Sequence, residues 1–296
     1  EKLPGAMTAH PKICAETGEM LAFGYGMAPP YLTYYRVSKS GELVQVEEIE
    51  VPGATMVHDF NVTRNYVIFM DLPAVWNLEG MADNGLPIVW DESYGARLGV
   101  MPRNGGNADV TWYDIEPCYV FHPLNAYESG SDLVLDVCRM DDTMKPGSSS
   151  EPKLTRWTIK TAEGRVEETQ LDDRMVDFPR VADRVVGLKH QYGYCAAFAK
   201  GAPFGQGLIK YDVDSGTSEY RDLEGGQASE PVFVANPDGT DEDDGWVLSY
   251  VYQPEQDKSE VLILTGQDIT GEPAAVIELP VRVPAGFHGN WVSDDD

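Results

Sequence analysis

The chain has 296 residues, 42% of them hydrophobic and 24% charged, with a formal charge of −27. That length holds one large all-β domain or two ordinary ones, and the apolar fraction is enough for a sizeable core. A balance this acidic repels nucleic-acid phosphates and anionic membrane surfaces, so nucleic-acid binding is excluded and the charge reads as a solvated surface.

Taken in order, the chain is a series of short apolar runs with turn signals between them. Thr8-Ala9-His10-Pro11 precedes the first, Met20 to Tyr25; Pro29-Pro30 then leads into Tyr31 to Val37, and Leu43 to Val51 continues in alternation. Met56-Val57-His58-Asp59-Phe60 opens the next group, with Asn65 to Met70 as its buried strand. Residues Leu72 to Trp90 are less regular and read as an insertion, its apolar Leu72 to Trp76 and Pro87 to Trp90 serving as a tunnel rim, a membrane-dipping patch or plain packing. The same pattern returns after Tyr119-Val120-Phe121-His122-Pro123, at Leu133 to Val137, Leu154 to Ile159, Gly207 to Asp212, Trp246 to Tyr252 and Val261 to Leu264. β-branched and aromatic residues fill these runs, Gly, Pro, Asp and Asn punctuate them, and no helical period of useful length appears. Asp241 to Asp244 and Asp294 to Asp296 read as a solvated loop and tail; neither has the spaced ligands and glycine turn of a calcium loop.

Such repetition predicts an all-β sandwich, barrel or propeller. The histidines favour a propeller. His10 and His58 are 48 residues apart, His58 and His122 are 64 apart, and His122 and His288 are 166 apart. A four-stranded blade takes roughly 40–50 residues, so the first three recur about once per blade, and the last step spans about three. Histidines from different blades can then meet at one point. Four imidazoles suit Fe, Zn, Cu or Ni, whereas a structural zinc site normally includes cysteines. The four cysteines (Cys14, Cys118, Cys138, Cys195) are dispersed and form no C-x-x-C pair, as expected of reduced thiols in a cytoplasm. His190, among charged and polar neighbours, is assigned a structural role. Asp177 and Glu230 stand in apolar, proline-bounded settings; each reads either as an ordinary loop residue or as a carboxylate that accepts a ligand histidine's second N–H. No apolar stretch approaches the ~18 residues of a membrane span.

Several motifs together resemble the carotenoid cleavage oxygenase family, which includes the lignostilbene dioxygenases. They are Thr8-Ala9-His10-Pro11-Lys12, Met56 to Phe60, Tyr119 to Glu128, Asp177-Phe178-Pro179-Arg180, Ser229 to Val234 and Pro284 to Trp291. The resemblance implies a seven-bladed β-propeller and an Fe(II) ion held by His10, His58, His122 and His288. It implies O2 and an apolar or phenolic partner, a polyene or stilbene, whose conjugated C=C bond is cleaved to two carbonyl products. Weak membrane association during substrate uptake is compatible with this. Behind the ligands, Glu230 matches one of three family glutamates, and Asp177 stands where a glutamate is usual, one methylene shorter. The third lies upstream of the first histidine in the family and would fall before Glu1. The chain opens without methionine and lacks about the first third of a family member. Residues 1–296 are therefore expected to form a single propeller domain of about five blades, poorly soluble and inactive when isolated. A non-catalytic fragment, and a propeller hydrolase or binding module using another metal, are the alternatives.

Overall fold

The structure, a computed structural model, describes residues 2–78 and 87–293. Among these, helix is limited to three short 3₁₀ turns at Glu92–Tyr94, Asn107–Asp109 and Asp183–Val185. The rest is strand and connection, as the absence of a helical period leads one to expect.

Five antiparallel sheets follow one another along the chain. The first contains β1 (Lys12–Ile13), β2 (Met20–Tyr25), β3 (Leu32–Val37) and β4 (Leu43–Ile49), in that order. The second contains β5 (Asn61–Val62), β6 (Tyr66–Asp71), β9 (Ala96–Pro102) and β10 (Thr111–Ile115). Between its middle strands comes the hairpin β7 (Ala74–Trp76) and β8 (Ile88–Trp90). The third sheet is β11 (Tyr119–Ser129), β12 (Asp132–Met140), β13 (Lys153–Lys160) and β14 (Arg165–Gln170). The fourth is β15 (Val176–Arg180), β16 (Tyr192–Ala197), β17 (Gly207–Asp212) and β18 (Thr217–Asp222). The fifth is β19 (Gln227–Ala228), β21 (Gly245–Gln253), β22 (Lys258–Thr265) and β23 (Ala275–Glu278), with β20 (Val232–Ala235) also paired to β21. This up-and-down repeat is the blade of a propeller. First strands open at Lys12, Asn61, Tyr119, Val176 and Gln227, a step of roughly 50–60 residues, slightly longer than the usual blade.

Most of the apolar runs named from the sequence are the middle strands of these sheets. β2, β6 and β12 are almost wholly buried, because sheet packs on sheet across both of their faces. The last strands β14 and β18 are largely exposed, β4 exposes alternate residues, and all three carry charge, which protects a sheet edge from pairing with other chains. The alternation over Leu43 to Val51 marks β4 in the sequence, whereas β14, β18 and first strands as short as two residues have no apolar run to mark them.

The chain divides into two compact units, Glu1–Gln170 with Val186–Lys189, and Leu171–Val185 with His190–Asp296. In the first, one core joins sheets one and two through Leu21, Phe23, Tyr34, Phe60, Val67 and Phe69. A second joins sheets two and three through Ile68, Leu98, Tyr119, Leu135 and Trp157. Each such side chain contributes about 1.5–3 kcal/mol on burial. Trp157 also donates its indole N–H to Glu168 at 2.7 Å. Leu72, Ala74 and Ile88 are part of this core, with Trp76 and Trp90 packed against it. The described ends of the Leu72 to Trp90 insertion are therefore packing elements; its residues 79–86 lie outside the described residues, as does the Asp294 to Asp296 tail.

In the second unit, Tyr194, Leu208, Phe233, Val247 and Leu262 join sheets four and five. The acidic loop expected to be merely solvated is partly a fastener there. Glu242 accepts the backbone N–H groups of Gln191 and Tyr192, and Asp243 pairs with buried Lys210 at 2.7 Å. Donors beside the loop explain the difference: Glu242 satisfies two backbone N–H groups and Asp243 a buried ammonium, charge-assisted bonds that favour order at a half-buried site.

Candidate metal centre

In the first unit each candidate histidine belongs to the first strand of a sheet or to its approach. His10 lies just before β1 and His58 just before β5. Proline follows His10 and blocks early ladder formation, so the imidazole projects from a short extended segment. His122 lies inside β11, where the register with β12 shifts between Val120 and Pro123 and again between Pro123 and Asn125. A bulge of this kind bends the strand and re-aims a side chain, and Pro123 is tolerated because β11 is an edge strand.

These three imidazoles converge. Nε2 of His58 lies 3.2 Å from Nε2 of His10 and 3.2 Å from Nε2 of His122. One ring nitrogen of each lies within 4.8 Å of the others. The rings meet tilted or edge-on, with centroids 4.8 to 5.2 Å apart. Metal–imidazole bonds of about 2.0–2.1 Å place ligand nitrogens roughly 3–3.5 Å apart, so the spacing suits a shared cation. Phe121 packs edge-on against His58 at 5.2 Å and against Tyr119 at 4.8 Å. The Tyr119 hydroxyl donates to the Met56 carbonyl at 2.8 Å, which fixes the segment leading to His58.

In the second unit His288 lies in coil, despite the apolar Phe287 and Trp291 beside it. Among the described residues, no strand pairs with residues 279–293, and Phe287 and Trp291 are exposed. Apolar content alone does not make a strand; a ladder partner does. His288 is instead held by side chains. Glu230, between β19 and β20 and 6% exposed, lies 3.3 Å from His288 Nδ1 and accepts the Gly289 N–H at 2.9 Å. Arg180 donates to the Gly289 carbonyl at 3.2 Å and to Asn290 Oδ1 at 3.3 Å, and lies 3.4 Å from Glu230. Burial pushes the Glu230 carboxyl up, but the His288 hydrogen bond, the Arg180 charge and the Gly289 N–H outweigh it and leave the pKa below the ordinary value. A Glu230 carboxylate beside Nδ1 favours the proton on that nitrogen, which leaves Nε2 available to a cation.

Asp177 is on β15, half-buried, and its Oδ1 accepts the N–H of Phe178 at 2.8 Å. Phe178 has φ 55°, and the β15–β16 register shifts between Asp177 and Arg180. A left-handed residue ahead of a proline is strained and is held by its surroundings. The Phe178 ring stands edge-on to His288 at 5.6 Å. His190 is buried and, among the described residues, joins no group of three or more metal-capable side chains. The sequence had given no role to Asp59 or Arg180, although both sit in quoted motifs. The available signal was a charge inside an otherwise apolar run, which needs a partner when buried.

Repeated up-and-down sheets, with histidines at the approach to successive first strands, define a β-propeller protein with a histidine site suited to a metal ion. The family model described as Retinal pigment epithelial membrane protein matches residues 2–293. A carotenoid cleavage oxygenase of Mycobacterium tuberculosis is 37% identical, over 98% of this chain and 68% of its own. A carotenoid 9,10(9',10')-cleavage dioxygenase of Crocus sativus is 35% identical, over 100% of this chain and 59% of its own. The crystal structure of Pseudomonas brassicacearum lignostilbene dioxygenase matches with a TM-score of 0.88 at 28% identity, covering 97% of this chain and 66% of that one. The chain belongs to the carotenoid cleavage oxygenase family and spans from 59% to 68% of the length of these relatives.

Proposed function

We propose that these residues belong to a non-haem Fe(II) dioxygenase. It cleaves a conjugated C=C bond of a carotenoid, apocarotenoid or stilbene with O2, both oxygen atoms ending as carbonyl oxygens of two products. The observation that carries this is the convergence of the His10, His58 and His122 Nε2 atoms at metal-bond spacing. His288 is assigned as the fourth ligand, supported by its buried carboxylate partner and the family membership. Asp177 is assigned beside Glu230 as a carboxylate behind the ligands, and residues 1–296 as parts of one propeller domain.

Iron, when bound, supplies the O2 chemistry, since imidazole ligands suit it and leave positions open. The protein residues bind, orient and exclude water. Glu230 keeps a proton on His288 Nδ1. Phe121 and Tyr119 make an apolar wall beside His58, and Tyr25 and Trp76 pack against the same core with rings 6.5 Å apart. Such surfaces favour a flat, conjugated, apolar substrate over a charged one. An apolar polyene partitions into membranes, so a cytoplasmic protein with weak peripheral contact is part of the same proposal. Among the described residues, no helix is long and apolar enough to cross a membrane.

The test is metal analysis of the purified full-length protein to which these residues belong, followed by turnover under ¹⁸O₂ with one carotenoid and one hydroxystilbene. Iron at about one per chain and two labelled carbonyl products are expected. Stoichiometric zinc, or iron with neither substrate cleaved, would overturn it.

A further inference from the structure

The ligand segments of His10 and His58 are both outside the ladders, yet their imidazoles meet at 3.2 Å. Side chains tie the two segments together in both directions. From the His58 side comes Asp59, 2% exposed, with Oδ2 3.7 Å from His10 Nδ1. Its carboxylate is fixed on two further sides: Oδ1 accepts the Phe60 N–H at 2.7 Å, and the Lys12 ammonium sits 2.9 Å from Oδ1 and 3.0 Å from Oδ2. From the His10 side comes Thr8, also buried, whose hydroxyl accepts the His10 N–H at 3.0 Å and donates to the His58 carbonyl at 3.4 Å.

We infer that Asp59 and Thr8 are positioning residues of the metal centre, forming a reciprocal clasp in which the neighbour of each histidine steadies the other. This rests on the metal-site proposal above and extends it to His10, beside which the sequence analysis singled out no carboxylate. The chemistry favours a placed carboxylate over a merely buried one. A buried charge is costly unless paired, and Asp59 has one ammonium and one amide to satisfy it. Its remaining face is turned to Nδ1 of a ring whose Nε2 joins the histidine group. At 3.7 Å the carboxylate acts through its charge, favouring the proton on Nδ1 and leaving the Nε2 lone pair for the shared point. Lys12 sets where the carboxylate sits, and Thr8 sets the backbone from which both rings project.

The test is a double-mutant cycle on metal affinity, read by chelator competition with Co²⁺ and Fe²⁺ rather than by turnover. Asp59→Asn, which keeps size and the Phe60 contact, should weaken binding about 10–100-fold. Thr8→Val, uncharged and nearly isosteric, should weaken it about 5-fold, the worth of one neutral hydrogen bond, and carries the test if the Asn variant does not fold. In a His10→Ala background the Asp59→Asn loss should shrink to within about 2-fold, because Asp59 acts through the His10 ring, whereas the Thr8→Val loss should persist, because Thr8 also holds the His58 carbonyl. An Asp59→Asn loss that is equal in the two backgrounds, or wild-type affinity in both single variants, would overturn the clasp. A wild-type protein that binds neither ion overturns the metal-site proposal itself, and the clasp falls with it.

Discussion

His122 and His288 solve one problem by opposite means. His122 is 8% exposed and built into β11, whose ladder with β12 runs from Tyr119 to Ser129 on either side of a bulge. Backbone hydrogen bonds fix its main chain, and the register shift aims the ring. His288, with a side chain 31% exposed, lies beyond β23 on a segment with no ladder among the described residues. Glu230 and Arg180 fix it through bonds to Nδ1, the Gly289 N–H, the Gly289 carbonyl and Asn290. On the proposed assignment of both as ligands, a coil presents one of them with a buried charged pair in place of the ladder. The contrast also locates the vulnerability: one side-chain substitution can loosen His288, whereas the same change beside His122 leaves β11 standing.

The largest expected effect comes from removing either ligand. His122→Ala and His288→Ala should each lower iron affinity beyond the roughly 10–100-fold that loss of a partner behind a ligand costs. They should differ in stability without metal. His122→Ala empties a buried position in sheet three, whereas His288→Ala removes a ring from coil, so only the first should lower Tm by several degrees. Equal Tm losses in calorimetry would break the comparison.

Next in size is Glu230→Gln, expected to weaken iron binding about 10–100-fold and to speed hydrogen exchange at the Gly289 amide. Amides of β11 should exchange as before. Arg180→Lys should not restore the wild-type behaviour expected of an arginine, because the two bonds to Gly289 and Asn290 use separate guanidinium nitrogens that a single ammonium cannot reproduce. Unchanged Gly289 exchange in either variant would show that the segment is ordered by something else.

How far the sequence went follows from the same contrast. Strands buried on both faces, such as Met20–Tyr25 and Tyr66–Asp71, announce themselves as apolar runs. The blade-like spacing of His10, His58 and His122 survives in the structure because each belongs to the start of a repeat. Glu230 stood out through the family resemblance, since its apolar, proline-bounded setting fits an ordinary loop residue as well. What was not legible depends on partners distant in sequence. The coil around His288 is held by Glu230 and Arg180, 58 and more than 100 residues away, rather than by its apolar neighbours Phe287 and Trp291. Asp59 has no role in the sequence until Lys12, 47 residues away, is placed against it. Arg180 has none until Gly289 and Asn290, more than 100 residues on, come to meet it.

The smallest expected effect tests whether the strand-borne side of the comparison rests on charge at all. Glu128, at the far end of β11 from His122, accepts bonds from the Thr63 hydroxyl at 2.7 Å, the Asn65 N–H at 2.8 Å and the Asn65 side-chain amide at 2.9 Å. It thereby ties the strand carrying His122 to the β5–β6 turn that follows His58. Burial pushes its carboxyl up, but these hydrogen bonds outweigh it, and the pKa lies below the ordinary value. A depressed folded pKa contributes stability that is fully present above the unfolded carboxyl pKa of about 4.3 and is lost as pH falls through the folded value. Glu128→Gln should therefore cost about 1 kcal/mol at pH 7, since a neutral carbonyl still accepts part of the set. The gap to wild type should close in acid, where the wild-type carboxyl is itself neutral and the variant has nothing to lose. Denaturant titrations at pH 7 and pH 3 read both numbers. A gap that stays constant with pH would mean that shape rather than charge holds the turn to β11, and the ladder alone would then account for the firmness of His122.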